Sequence, residues 1–451
     1  MAVWSIVKAS ELEGPRRLDA EYYRPEYVEL SRRLARCSTV TLEEVARVTD
    51  GIHASPKFQP GSGIRYVSAK CVRDCYFDLT TAEELSNSQH AANPRTALRV
   101  DDVIVSTVGT IGFCAVVDQS VLPANCDRHV GIVRLKDNKR LDPYFVAAFL
   151  NSKYGRYQTI REATGNVQLN LFIYAIDKLR VPYFAHHRNI SGMVQEGLRG
   201  FQESESLYRK AERLVLDEIG WEKLNLSQSK WWAVPLSRAR GTSRLDAEHF
   251  QPKYDKLVAH LQKAGKAKQL KEVLAEPIQK GVTPDYDEAG SIAAINSQHL
   301  GRSCLNFDAV DRTTEDFWRA NKRAQIRHHD VMIYATGAYI GRTNAYLETA
   351  RALAGVDILL VRPGKECHPV YLAVFLNLSA GLMQAKQFAS GSGQAHIYPD
   401  NVASYWVALP APKTQEQVVT LVRDSYTARQ KAKALLAEAK AKVEAVIEGR
   451  R

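Results

Sequence analysis

Asp142-Pro143-Tyr144 is the nearest this sequence comes to an adenine-methyltransferase loop of the N/D-P-P-Y/F type, and its second proline is missing. Such an enzyme would also need a glycine-rich cofactor turn. Pro284-Asp285 and Pro399-Asp400 could open a nuclease site, yet no acidic-x-lysine partner follows at a workable distance. There is no G-x-x-x-x-G-K-S/T phosphate loop, which excludes a nucleotide-driven motor of that class. His328-His329-Asp330 reads as a turn before a strand. Cys71 and Cys75 stand four apart, and Cys126 stands three before His129, but paired C-x-x-C knuckles are missing. These thiols are expected to be buried or half-buried. No catalytic residue, metal ligand or cofactor is expected.

Recognition chemistry is better represented. Base readout uses Arg, Lys, Asn and Gln on exposed loops, and phosphate contacts use cations, hydroxyls and backbone amides. The candidates in the first half are His53, Lys57, Arg65, Lys70, Arg73, Asn166 and Gln168. In the second half they are Lys280, Gln298, His299, Arg302, Ser392, Gln394 and His396. The ATGNVQ and ASGSGQAH loops lead this set, being polar, glycine-bearing and repeated in position. A formal charge of +11 favours a polyanionic partner through long-range attraction and counterion release.

What must position these loops is written twice. RLDAEYYRP (17–25) returns as RLDAEHFQP (244–252). DDVIVSTVGTIG (101–112) returns as HDVMIYATGAYIG (329–341), and DPYFVAAFLNS (142–152) as HPVYLAVFLNL (368–378). The loops above open ATGNVQLNLFIYAIDKLRVP (163–182) and ASGSGQAHIYPDNVASYWVALP (389–410). Ordered matches at nearly one offset indicate an internal duplication. Within each copy, short β-branched runs with glycine punctuation predict strands and turns. The D/H-P openings predict short helices with proline in the first turn. Each copy is thus a mixed α+β globule.

A long helix is predicted after each globule. Ile190, Val194, Phe201, Tyr208, Ala211 and Val215 recur at helical steps, as do Val418, Val422, Ala432, Leu436, Ala439, Val443 and Val446. Both stripes are narrow, so the two helices are expected to pair as an antiparallel coiled coil, with Ser204 and Arg429 interrupting the seams. Arg429, Lys431, Lys433, Lys440 and Lys442 are assigned to a solvated or partner-facing side. Trp231-Trp232 is read as core, and RLDAE as packing the opening helix of each half against the base of the rods.

The chain as a whole resembles the specificity (S) subunit of type I restriction–modification systems. In the second half the resemblance rests on Lys280-Gly281-Val282-Thr283-Pro284, on His329-Asp330-Val331 through Thr336-Gly337 to Ile340-Gly341, and on Leu409-Pro410, Pro412 and Glu416-Gln417. The first half keeps Gly51, Pro56, Asp102-Val103, Gly109 to Gly112 and Val181-Pro182, and departs at AHHRN (185–189). The resemblance implies two target-recognition domains in pseudo-twofold arrangement, at 40–185 and 265–412. Spacer helices would lie at 186–222 and 413–449, and RLDAE segments at 1–39 and 223–264. It implies a non-catalytic reader of double-stranded DNA, each domain taking half of a bipartite target. Two adenine methyltransferase subunits would dock on the helices, with restriction or translocase subunits joining them. The alternatives are the DNA-recognition component of another phage-defence complex, or a protein scaffold that binds no DNA. The sequence lacks a signal-peptide pattern and an apolar run of membrane-spanning length, so a cytoplasmic location with no membrane partner is expected.

Overall fold

The computed structural model describes residues 4–9, 12, 18–136, 141–165, 168–184, 187–227, 231–242, 244–263, 267–307, 310–391 and 393–450. The chain divides into two compact units, residues 1–201 with 429–451, and residues 202–428. Both contain helices and sheets, and the two halves of the duplication build matching four-stranded main sheets.

In the first unit an antiparallel four-stranded sheet runs in the order Ala46–Asp50, Val130–Leu135, Val103–Ser106, Cys114–Val116. Ile104 sits opposite Ile132, and the strand Val103–Ser106 is buried along its whole length. Beside it Arg65–Val67 pairs with Glu83–Glu84 and, in parallel, with Ala124–Cys126. In the second unit the corresponding sheet is Gln279–Lys280, Ile358–Val361, Val331–Tyr334, Thr343–Ala345. Its companion is Asp311–Thr313, Ile292–Ile295, Ala352–Ala354, Gln325–Ile326, with Ile292–Ile295 and Ala352–Ala354 parallel. The β-branched runs form these strands because a pleated, fully buried surface suits stiff side chains.

A short buried helix backs each sheet. Pro143–Asn151 begins at Asp142, whose side chain accepts from the Tyr144 and Phe145 amides, and Pro369–Asn377 begins at His368, which accepts from Val370. Such caps contribute about 1 kcal/mol each. Each helix ends in an asparagine bonded to a strand backbone. The Asn151 side chain accepts from the Cys114 amide at 3.2 Å and donates to its carbonyl at 2.8 Å. Asn377 does the same to Thr343, accepting from its amide at 2.8 Å.

The long helices span His187–Glu218 and Pro412–Ile447. Each long helix contributes side chains to the core of both units. In the first unit Ile190, Val194, Leu198 and Phe201 pack with Ala432, Leu436, Ala439, Val443 and Ile447 in the globule's own core. A Cβ on Gly197 would sit 2.9 Å from Leu436, so the helices approach closely there. In the second unit Tyr208, Ala211 and Val215 join Val418, Val419 and Val422 in the other core. There the Ser425 hydroxyl donates to the Ser204 carbonyl at 2.7 Å, both residues buried. The expected stripe is right except at its end, where Ile447 is buried and Val446 exposed. Two expected solvent-side cations are used internally: Arg429 lies 5.3 Å from the Phe201 ring, and Lys440 pairs with Asp74.

RLDAE behaves differently from the expectation. Its following aromatic pairs, Tyr22-Tyr23 and His249-Phe250, are buried, while Leu18 and Leu245 are exposed. Tyr22 lies under Arg161 and donates to Glu162, on the helix Lys153–Glu162. His249 bonds to the Gln387 carbonyl at 2.9 Å, on the helix Ser379–Phe388. Contact with the rod ends comes from the next helix, through Arg33 to Glu448 and His260 to Ile219. Trp231 is exposed and Trp232 only half-buried, so this pair is not core. No described helix is long and apolar enough to cross a membrane.

Candidate nucleic-acid interface

The two polar loops form the same hairpin. In the first unit Thr164 and Asn170 exchange backbone bonds of 2.9 and 2.8 Å, and in the second Ser390 and His396 exchange bonds of 3.0 and 2.8 Å. Both turns depend on glycine at the second position. Gly165 has φ 137° and Gly391 has φ 117°, a region that other residues avoid. A Cβ there would lie 2.2 Å from the carbonyl oxygen of Gln168 or Gln394. The tight turn therefore sets a glutamine at the same place in each loop, with its side chain exposed.

Each hairpin is tied to the glycine-bearing turn of the main sheet. Leu171 donates to the Thr107 carbonyl at 2.9 Å, while Gly337 donates to Ala395 and Ile397 to Ala335, both at 2.9 Å. The Thr336 hydroxyl and His396 Nδ1 are 3.1 Å apart, so His396 is held against the turn. Below this junction lies an open groove of about 720 Å³ lined by Arg302, Gly337, Tyr339, Arg342, Lys386, Ser390, Gly391 and Ala395. The Arg342 guanidinium stands 4.1 Å from the Tyr339 ring. Arg302, Arg342 and Lys386 share this groove with the Glu248 carboxylate, 3.8 Å from Lys386, so its cations outnumber its acids. They sit beside the exposed Tyr339 ring, a mix that suits an anionic, stacking ligand. A second groove of about 430 Å³ contains Thr283 and Pro284 of the K-G-V-T-P turn, with Tyr286, Asn296 and Gln298.

The remaining candidates scatter. Lys57, Lys70 and Lys280 are exposed, Lys280 on the edge strand Gln279–Lys280. Arg65 donates to the carbonyls of Val121 and Leu122, at 3.0 and 3.5 Å. Arg73 bonds to the Lys70 and Val72 carbonyls and to Asp78. The Arg302 guanidinium reaches both carboxylate oxygens of Glu212, at 3.3 and 3.2 Å. His53 pairs with Asp50 at an exposed position. His299 is not available to a ligand, because it is buried and accepts from the Asn296 amide at 2.9 Å. Asn166 and Ser392 lie outside the described residues.

Sequence reasoning passed over the aromatic residues around the loops. Phe172 and Tyr174 are exposed and stacked at 5.6 Å, and Tyr398 and Tyr339 are exposed in the second unit. Their signal was aromatic rings inside otherwise polar loop segments. Three buried thiols, by contrast, are poor ligands or nucleophiles. Burial holds Cys75, Cys114 and Cys126 well above the ordinary thiol range, with Asp74 or Asp127 adding to it. Among the described residues no cluster of His, Cys, Asp and Glu could hold a metal ion.

No protein-family profile matches this sequence, and no curated protein matches it. Solved structures do resemble it. One is a type I restriction–modification system S subunit from M. genitalium, at 13% identity and TM-score 0.39, covering 91% of this chain and 94% of that one. Another, from work on complex assembly and conformational transition of the type I R-M system, has 16% identity and TM-score 0.29, covering 91% and 95%. The HsdS subunit from Thermoanaerobacter tengcongensis has 16% identity and TM-score 0.27, and the similarity to it covers 97% of this chain and 98% of that one.

Proposed function

We propose that this chain is the DNA-specificity subunit of a type I restriction–modification complex, with no catalytic step of its own. Each target-recognition domain reads one half of a bipartite duplex target, and the long helices dock two adenine methyltransferase subunits. The carrying observation is the pair of hairpin closures, Thr164 with Asn170 and Ser390 with His396, which share their backbone bonds, a glycine and a glutamine but differ in the other residues between them. Equal frames with unequal side chains suit two half-sites of different sequence, since base identity is read by side chains at groove edges. The duplication gives pseudo-twofold symmetry inside one chain, the counterpart of a dimeric reader on spaced half-sites.

The test is modified-base sequencing of genomic DNA from cells with and without the gene. A two-part methylated motif that disappears on deletion is expected. An unchanged methylation pattern in cells shown to express a working methyltransferase would overturn the reading.

A further inference from the structure

The hairpins are not the only backbone frame built twice. Ile52 donates to the Cys126 carbonyl at 2.8 Å, and Val282 to the Ala354 carbonyl at 3.0 Å. The glycine before each is pressed against the next carbonyl, since a Cβ on Gly51 or Gly281 would lie 2.1 Å from the Asp127 or Gly355 oxygen. Val67 sits opposite Cys126 and Ile295 opposite Ala354, and each leads through one residue into a short turn, Ala69–Cys71 or Ser297–His299. The register therefore matches Lys70 with Gln298, Arg128 with Val356 and His129 with Asp357. An exposed ring is kept as well, Phe58 bridging to Leu85 and Tyr286 to Thr313.

In the second unit Thr283, Tyr286, Gln298, Val356 and Asp357 of this frame line the cleft of about 430 Å³. Its rim adjoins the hairpin through one residue. The Ala335 amide donates to the Asp357 carbonyl, and the Ala335 carbonyl accepts from Ile397, just past the hairpin closure. Thr107 makes the same two bonds in the first unit, to His129 and from Leu171. A ligand lying on either hairpin therefore meets this rim as well.

The frames are equal and their chemistry is not. The first rim carries Lys70 and Arg128, both exposed. Arg128 Nε donates to the His129 ring at 3.4 Å, and the other nitrogen of that ring lies 3.3 Å from Asp127, a chain that orients the guanidinium. Nearby, Asp50 is taken up by Arg95 at 2.9 Å and by His53. At the matched positions the second unit has an amide, an exposed apolar side chain and a carboxylate: Gln298, Val356 and Asp357. One carboxylate is common to both frames, Glu83 opposite Tyr66 and Asp311 opposite Ala294, so it does not distinguish them. In the major groove guanine offers two acceptors, which suit Arg and Lys. An A·T pair offers an acceptor, an amino group and a methyl, which suit Gln, a carboxylate and an apolar side chain. We propose that the two rims select different bases: Lys70 and Arg128 a guanine in one half-site, and Gln298, Val356 and Asp357 an A·T pair in the other. This rests on the specificity-subunit reading above and assigns the class of base that each unit takes.

The test is modified-base sequencing of cells whose gene encodes the full-length chain as wild type, K70A/R128A, Q298A/D357A or K70Q/R128V/H129D. Circular dichroism of each purified chain checks its fold. K70A/R128A should make one guanine position of the methylated motif degenerate, with discrimination down about tenfold and the other half unchanged. Q298A/D357A should relax an A·T position in the other half alone. K70Q/R128V/H129D writes the second rim into the first and should turn the guanine position to A·T. Folded variants that keep the wild-type motif in both halves would overturn the assignment and leave the specificity reading standing. A folded K70A/R128A chain that lowers methylation at all sequences alike would make these cations phosphate contacts, and would overturn it too. If wild type gives no two-part motif in cells with a working methyltransferase, both readings fall together.

Discussion

Arg134 grips Asp102 through two parallel bonds, Nε to Oδ1 at 2.7 Å and a terminal nitrogen to Oδ2 at 2.6 Å, beneath the main sheet of the first unit. Arg362 and Asp330 repeat this in the second unit with two bonds of 2.7 Å. In both, the same carboxylate accepts the amide three residues earlier, Arg99 or Arg327. The carboxylates are buried, and bonding to Asp102 or Asp330 raises the arginine above its usual range against the opposing cost of burial. Removing one partner leaves a charge desolvated and unpaired. Asp102→Ala and Asp330→Ala should each lower unfolding free energy by about 3 kcal/mol, the lower end for a broken buried pair. Urea titration of the two variants checks this.

Gly391→Ala forces a Cβ against the Gln394 carbonyl and a φ that alanine avoids. Because the loop is exposed, global melting should move little while the hairpin loses its form. Fluorescence anisotropy on target duplex should show affinity down by about tenfold, and the matched Gly165→Ala should act alike in the first unit, consistent with about 1–3 kcal/mol of local strain.

Gln394→Ala should relax discrimination at one base pair of one half-site by about 1–3 kcal/mol, the worth of a bidentate base contact. Selection of bound sequences from a random library reads this out. Lys386→Ala, which removes a cation from the groove wall, should instead weaken all sequences together and reduce the salt slope by about one unit.

His329 gives the second unit an acid weakness. Burial pushes its pKa down to about 4, and the charges of His328, His368 and Arg423 act in the same direction. The unfolded chain takes up this proton near pH 6.5 and the folded chain does not until about 4. The stability from the neutral ring is thus present above pH 6.5 and is lost as pH falls from there towards 4. His329→Asn keeps a residue tolerant of its left-handed φ of 69° and removes the titration. Thermal melts from pH 7 to 4 should fall less steeply for this variant than for wild type.

Much of this architecture is legible in the sequence, because duplication leaves ordered matches and buried helix faces leave periodic ones. The stripe from Ile190 to Val215 is one case, and the paired loops are another. What escaped was set by distant neighbours. His299 looked like a reader but is buried against its own turn, and Trp231 looked like core but is exposed. Arg65 and Arg73 carry the right chemistry, yet carbonyls from their own unit take up their donors. Nor could local periodicity show that each long helix serves two cores, since the partners of Phe201 and Tyr208 lie far along the chain.

The strand pairs that close each globule have a consequence for inheritance. Val40 sits opposite Val181, and Lys268 opposite Val407, so the chain between each pair begins and ends at one hydrogen-bonded gate. A segment with adjacent ends can be replaced whole without moving the chain on either side. Recombination at these gates would exchange one cassette for another of different loop sequence. Under the function proposed above, such an exchange would give a new target while leaving the long helices as they were.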